Sequence, residues 1–260
     1  MARKPGNSGG SGSGSSGRGK TARLRKSRGR KEASTRWLTR QLRDPYVAEA
    51  REQGLRSRAA FKLIDLDDKF HFLKPGSRII DLGSCPGGWT MVSVERVNAQ
   101  GAKKGRQGRV VGIDLQETDP VSGAVLICHD FMDDAAPELL KDALAGPADV
   151  VLSDMASQAT GHAATDHLRV IALLETAFDF ACEVLTPGGV FVGKAFKGGT
   201  EGELLARMKK RFKTVRHAKP PSSRKESAET YVVAMGFRKG IDPPRTPDTR
   251  SPLAFTKSSV

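Results

Sequence analysis

Seven short apolar runs between residues 78 and 237 constrain this chain more than any other feature: RIIDL (78–82), VVGIDL (110–115), AVLICHDF (124–131), DVVLSDM (149–155), GVFVGKAF (189–196), TVRHA (214–218) and TYVVAMGF (230–237). Most are apolar nearly throughout rather than at every second position, the pattern of strands covered on both faces. The stretches between them carry helical spacing near 87–97, 135–144, 166–185 and 201–212. Strands alternating with helices predict an α/β fold, a doubly wound parallel sheet covered on both faces in a single domain. Ahead of the first strand, SRAAFKLIDLDDKF (57–70) predicts a helix with Ser57 as its N-cap and Phe61, Ile64 and Leu66 facing inward while Lys62 points elsewhere. A shorter helix is expected from about residue 34, broken at Pro45.

The charge is as unevenly distributed as the hydropathy. Of the formal +14, residues 1–43 carry +12, from 13 Lys and Arg against Glu32 alone. A basic segment joined to a nearly neutral fold is expected where a flexible arm neutralises phosphates. GNSGGSGSGSSGRGK (6–20) has no apolar periodicity, so residues 1–33 are expected to be a disordered basic arm, 34–238 the folded domain and 239–260 an irregular tail. No apolar run approaches the roughly 20 residues of a membrane span, so the expectation is a cytoplasmic protein with no membrane partner. Cys85, Cys128 and Cys182 lack metal-ligand or framework spacing and read as reduced, small core residues. The five histidines show no ligand spacing either, so no metal is expected.

The first strand runs into IIDLGSCPGGWT (79–90), where Gly83, Gly87 and Gly88 would let the backbone lie against a bulky ligand, Pro86 would stiffen the turn and Trp89 would cover an apolar or π surface. Ligands of open parallel sheets bind at such strand-to-helix turns, and Asp114 at the end of the second strand is placed to accept ribose hydroxyls. The spacing G-x-x-x-G-G is not the dinucleotide fingerprint G-x-G-x-x-G. Acids close two further strands, Asp130 and Asp154, which repel phosphates and suit a ligand carrying positive charge. S-adenosylmethionine, with its sulfonium and ammonium, meets that requirement.

RSRAAFKL (56–63), DLGSCPGGWT (81–90), GIDL (112–115), HDF (129–131), SDMA (153–156), GKAF (193–196) and SSRKESAETYVVAMGF (222–237) resemble, in order and spacing, the FtsJ/RrmJ family of ribosomal RNA 2′-O-ribose methyltransferases. The resemblance covers about residues 40–238 and implies a Rossmann-like, doubly wound, mixed seven-stranded sheet. It implies a Lys-Asp-Lys-Glu tetrad on Lys62, Asp154, Lys194 and Glu229, and cofactor contacts from Gly87, Trp89, Asp114, Asp130 and Asp154. It also implies S-adenosylmethionine as cofactor, 23S ribosomal RNA in the 50S subunit as partner, an A-loop uridine as target, and a monomer. Lys194 lies in an apolar strand, where an unpaired ammonium is costly, so either a partner or a reason to be neutral is required. In this reading uncharged Lys194 accepts the ribose 2′-hydroxyl proton as the oxygen attacks the methyl group, Lys62 and Asp154 orient the pair, and Glu229 places Lys62 or the ribose. Arg56, Arg58, Arg224 and Lys225 flank these motifs and are expected to grip RNA phosphates. The alternatives are a transfer RNA 2′-O-methyltransferase, a small-molecule methyltransferase that would act without RNA, and a non-catalytic RNA-binding ribosome-assembly factor of the same fold. An intact tetrad argues against the last.

Overall fold

The computed structural model describes residues 44–157, 161–196 and 202–240. The expected helix near residue 34, the boundary at 33/34, the disordered arm and all but the first two residues of the tail lie outside them. The chain divides into two units, Met1–Ala48 and Glu49–Val260. Of the first, residues 44–48 are described: Tyr46 N–H donates to Asp44 Oδ1 at 3.2 Å, opening helix α1 (Pro45–Glu52).

The second unit carries the sheet. After α2 (Ala59–Phe70) come β1 (Arg78–Leu82), α3 (Gly88–Arg96), β2 (Arg109–Asp114), β3 (Ala124–Cys128), α4 (Ala136–Leu144), β4 (Ala148–Ser153), α5 (Ala163–Val184), β5 (Leu185–Phe196), α6 (Gly202–Arg211), β6 (Phe212–Ala218) and β7 (Glu229–Phe237). The strands form one seven-stranded sheet in the order β3-β2-β1-β4-β5-β7-β6. The ladders from β3 through β5 are parallel, and β7 runs antiparallel to both β5 and β6.

Successive residues of a strand face opposite sides of the sheet, and here both sides are cores. Ile80, Leu82, Val111, Ile113 and Val151 pack with Leu140, Phe178 and Met208 from α4, α5 and α6. Their neighbours Ile79, Val110, Val150 and Leu152 pack with Leu63 and Leu66 of α2 and Val92 of α3. Two-sided burial is why the strands read as unbroken apolar runs. Strand order reverses direction between β1 and β4, and a crevice opens beyond the carboxyl ends of two strands at such a point. Asp154 N–H donates to Leu82 O at 3.1 Å there, so the ends of β1 and β4 stand side by side.

Ser57 does not cap α2. The cap position is Arg58, in helical conformation with no side-chain cap bond, and Ser57 Oγ is buried without a hydrogen-bond partner. Its side chain is turned toward Gly88 instead. Phe61 and Leu66 are buried as expected, Ile64 only partly, and Leu63 takes the deepest position.

Candidate active site

The turn after β1 is tied to β2 from several directions. Gly83 and Ser84 N–H both donate to Ile113 O, at 2.9 and 3.1 Å, and Cys85 N–H donates to Asp114 Oδ2 at 3.0 Å. Asp114 Oδ1 accepts Gln116 N–H at 2.9 Å, so this half-buried carboxylate braces two loops at once. The glycines were expected to admit a ligand, but their bare faces admit protein. A Cβ on Gly83 would come within 2.9 Å of the Met155 side chain, one on Gly87 within 2.8 Å of Arg56 Nη1, and one on Gly88 would collide with Ser57 Oγ. Gly87 also has φ +101°, which side chains rarely tolerate. What the turn offers a ligand is the set of N–H groups at the start of α3, which have no intrahelical acceptor. Trp89 is turned inward: it is 3% exposed, its indole N–H donates to Ala59 O at 2.8 Å, and its ring centroid lies 5.5 Å from that of Tyr231. The indole braces α2 against β7 rather than covering a ligand.

Beside this turn the structure brings the four tetrad residues into one connected cluster. Lys194 Nζ lies 2.7 Å from both Asp154 Oδ1 and Asp154 O, and Lys62 Nζ lies 2.7 Å from Glu229 Oε1. Tyr231 links the two pairs: its hydroxyl donates to Asp154 Oδ1 at 2.7 Å, and Lys62 Nζ sits 5.9 Å from its ring centroid. The sheet explains the arrangement. Lys194 is registered against Tyr231 across β5 and β7, and Glu229, two residues before Tyr231, shares its face. Tyr231 was not anticipated as a site residue; only the strand register pairs it with Lys194.

The cluster is desolvated, with side-chain exposures of 9% for Lys194, 15% for Asp154, 12% for Lys62 and 16% for Glu229. Burial pushes the Asp154 carboxyl up, but Lys194 and Lys62, with the hydrogen bonds from Lys194 and Tyr231, outweigh burial and hold it below the usual carboxylate range. Tyr231 moves the other way. Burial first, then Asp154 and Glu229, raise its hydroxyl well above the ordinary tyrosine value, so it stays a donor.

A second acid beneath the turn was missed by sequence reasoning. Asp81 is fully buried in β1, accepts Thr90 Oγ1–H at 2.7 Å through Oδ2, and has no partner for Oδ1. Burial above all, with Asp154 and Asp114 adding repulsion against the bond from Thr90, pushes its carboxyl up to about 7. The folded state therefore holds a proton that an unfolded aspartate releases near its ordinary value, 3.8. Asp81's contribution to stability is complete below about 4 and is lost as pH rises toward 7, with a slope of ~1.4 kcal/mol per pH unit. Asp81→Asn is expected to melt like the parent at pH 4 and several degrees above it at pH 8; thermal melts across that range check this, and parallel pH profiles would contradict it.

The remaining expected residues fall further out. Asp130 lies two residues past the end of β3, not within it, and is exposed; its Oδ1 accepts Met132 N–H at 2.8 Å. Arg56 donates to the carbonyls of Pro86, Asp119 and Pro120, and Arg58 to that of Ser222, so both guanidiniums hold loops together instead of presenting themselves to phosphates. Arg224 is half-buried, whereas Lys225 is exposed. Cys128 is exposed, not a core residue, while Cys85 and Cys182 are half-buried and all three are free. Burial pushes the Cys182 thiol up to about 11, in keeping with a packing role. Among the described residues no helix is long and apolar enough to cross a membrane.

Comparison with known proteins covers nearly all of the folded unit. The sequence profile of the FtsJ-like methyltransferases matches residues 55–237. The chain is 64% identical over 209 residues to ribosomal RNA large subunit methyltransferase E of Paramagnetospirillum magneticum, covering 80% of this chain and 85% of that protein. It is 61% identical over 210 residues to the protein of the same name from Rhodospirillum rubrum, covering 81% and 79%. Among solved structures, a ribosomal RNA methyltransferase of Plasmodium falciparum superposes with a TM-score of 0.61 at 31% identity, covering 70% of this chain and 98% of that one.

Proposed function

The chain belongs to the FtsJ-like methyltransferase family, and from that premise we propose that it methylates the ribose 2′-hydroxyl of a uridine in the A-loop of 23S ribosomal RNA, with S-adenosylmethionine as donor and the assembled 50S subunit as substrate. One observation carries the reading: Lys194 Nζ is held 2.7 Å from both the carboxylate and the carbonyl of Asp154 at the end of β4. Names borne by the relatives supply the RNA substrate class.

The residues around the turn fit the cofactor. Asp81, Asp114 and Asp154 lie close enough for the latter two to perturb the first, and the buried Oδ1 of Asp81 has no partner. Acidic groups that crowd one another in this way oppose phosphates and suit a ligand bearing ammonium and sulfonium charge. Gly87 and Trp89 would meet the ligand through the backbone at the start of α3, and Asp114, Asp130 and Asp154 through the loops beyond β2, β3 and β4. When bound, S-adenosylmethionine supplies an electrophilic methyl group on sulfur.

The chain's own task is to position the hydroxyl and remove its proton. A charged Lys194 has three N–H donors, and two are directed at Asp154. An uncharged Lys194 keeps two donors for the same two acceptors and carries a lone pair in the third direction. That lone pair is what the ribose hydroxyl requires of a proton acceptor. Asp154 fixes the amine, Tyr231 fixes Asp154, and the Lys62–Glu229 pair lies beside the Tyr231 ring, so orientation accounts for much of the rate. The target is RNA because a 2′-hydroxyl exists only there.

Incubating the protein with methyl-labelled S-adenosylmethionine and hypomethylated large subunits is expected to place label on one ribose of the large-subunit RNA. Label on a base, or transfer to small molecules without RNA, would exclude this reading.

A further inference from the structure

The reading above uses the carboxyl ends of the parallel strands. At the opposite edge of the sheet, a cleft of about 520 Å³ opens between the starts of β1 and β2, the loop 98–108 and the turn before β4, lined by Arg78, Arg106, Gln107, Arg109, Asp149 and Thr186 among others. Among the described residues, none of these three guanidiniums has a carboxylate within ion-pair distance. Asp149 is the one acid on the lining, and its Oδ2 accepts Arg78 N–H at 2.8 Å.

The arginines are seated in place. Gly76 has no side chain where Arg106 lies across it: a Cβ there would come within 2.6 Å of Arg106 Cβ and 3.3 Å of its Nε. A Cβ on Gly146 would collide with the Arg78 guanidinium. Arg109 is anchored by donation from Nε to Ala143 O at 2.7 Å, which leaves its terminal nitrogens for other acceptors. The loop that presents Arg106 is organised by Asn98, whose side chain accepts Lys103 N–H at 2.9 Å and donates to the Lys103 and Arg106 carbonyls at 2.8 and 3.4 Å. Lys104, on the same loop, is exposed.

We propose that this cleft is a second RNA-binding surface that seats the phosphate backbone of the substrate at the sheet edge away from methyl transfer. It rests on the reading of the protein as a ribosomal RNA methyltransferase. Planar guanidiniums on three separate segments match several successive phosphates better than a single anion, and they position a nucleic acid without reading its bases. Between the two sites lies at least the length of β1, about 13 Å, so one RNA that follows the surface around the sheet is able to touch both.

The test is Arg106→Glu/Arg109→Glu in the full-length protein, with hypomethylated large subunits as substrate over a range of salt concentrations. The expected result is a KM for subunits raised roughly tenfold near 0.1 M salt and a salt slope of log affinity shallower by about 1 to 2, with kcat and S-adenosylmethionine binding unchanged. Arg106→Lys/Arg109→Lys should retain most of the slope, and Arg106→Gln/Arg109→Gln replaces the reversal if that variant melts early. An unchanged KM and slope, or a fall in kcat alone, overturns the proposal. If the parent protein itself fails to methylate the subunits, the functional reading fails; if the parent is active and the variants match it, only the cleft does.

Discussion

Lys194→Ala is expected to bind S-adenosylmethionine as the parent does and to lose methyl transfer by about three orders of magnitude. The size follows from removing a positioned proton acceptor, which typically contributes 10²–10⁴-fold. Cofactor affinity survives because Lys194 enters from β5, across the sheet from the glycine turn and Asp114. The lost amine also leaves Asp154, 15% exposed, without its nearest cation, so a modest drop in thermal stability accompanies the loss. Isothermal calorimetry with the cofactor and single-turnover transfer with saturating RNA separate the two effects. Equal losses in binding and transfer would mean that Lys194 builds the cofactor site rather than acting on the ribose.

Asp154→Ala is the more damaging change to the molecule itself. It removes the carboxylate partner of the Lys194 ammonium, 9% exposed, and of the Tyr231 hydroxyl, whose residue is wholly buried. Breaking a buried pair by removing one partner costs about 3–5 kcal/mol. Melting should fall accordingly at neutral pH. Because the folded-state carboxyl is held below its ordinary range, this deficit is full above that range and shrinks as pH falls through it. Transfer should drop at least as far as in Lys194→Ala, and the double variant should be no slower than the worse single one, since the two residues act as a unit. Additive losses would show that Asp154 and Lys194 work independently.

Whether a residue was legible in the sequence depended on whether its signal was local. Runs such as RIIDL and DVVLS announce strands because burial on both faces demands apolar side chains at successive positions, as in Ile79–Ile80 and Val150–Leu152. The start of β5 was hidden: α5 ends at Val184 and the strand begins at Leu185, where an irregularity between Ala148 and Val150 lets Leu185 pair with Ala148. Pro187 and Gly188 inside that strand look like a turn in one dimension. Lys62, Asp154, Lys194 and Glu229, which the fold brings together, are singled out in the sequence only by a resemblance of ordered motifs. Tyr231 sits in plain view two residues after Glu229, yet only the pairing of β5 with β7 reveals it as the bridge. Asp81 has the same character, since a carboxylate in an apolar strand looks like any strand-end acid until its neighbours are known. Arginines mislead most readily: Arg56 and Arg58 are spent on carbonyls, whereas Arg106 and Arg109, outside every motif, line an open cleft.

A single substitution isolates the chemistry from the architecture. Arginine at position 194 preserves the positive partner of Asp154 but does not give up its proton in a protein, so it is able to pair and unable to accept. In single-turnover assays at saturating RNA and cofactor, Lys194→Arg should bind S-adenosylmethionine normally and transfer methyl about a thousandfold more slowly than the parent. A rate within a few-fold of the parent would contradict the account, because charge alone, and no proton acceptor, would then suffice.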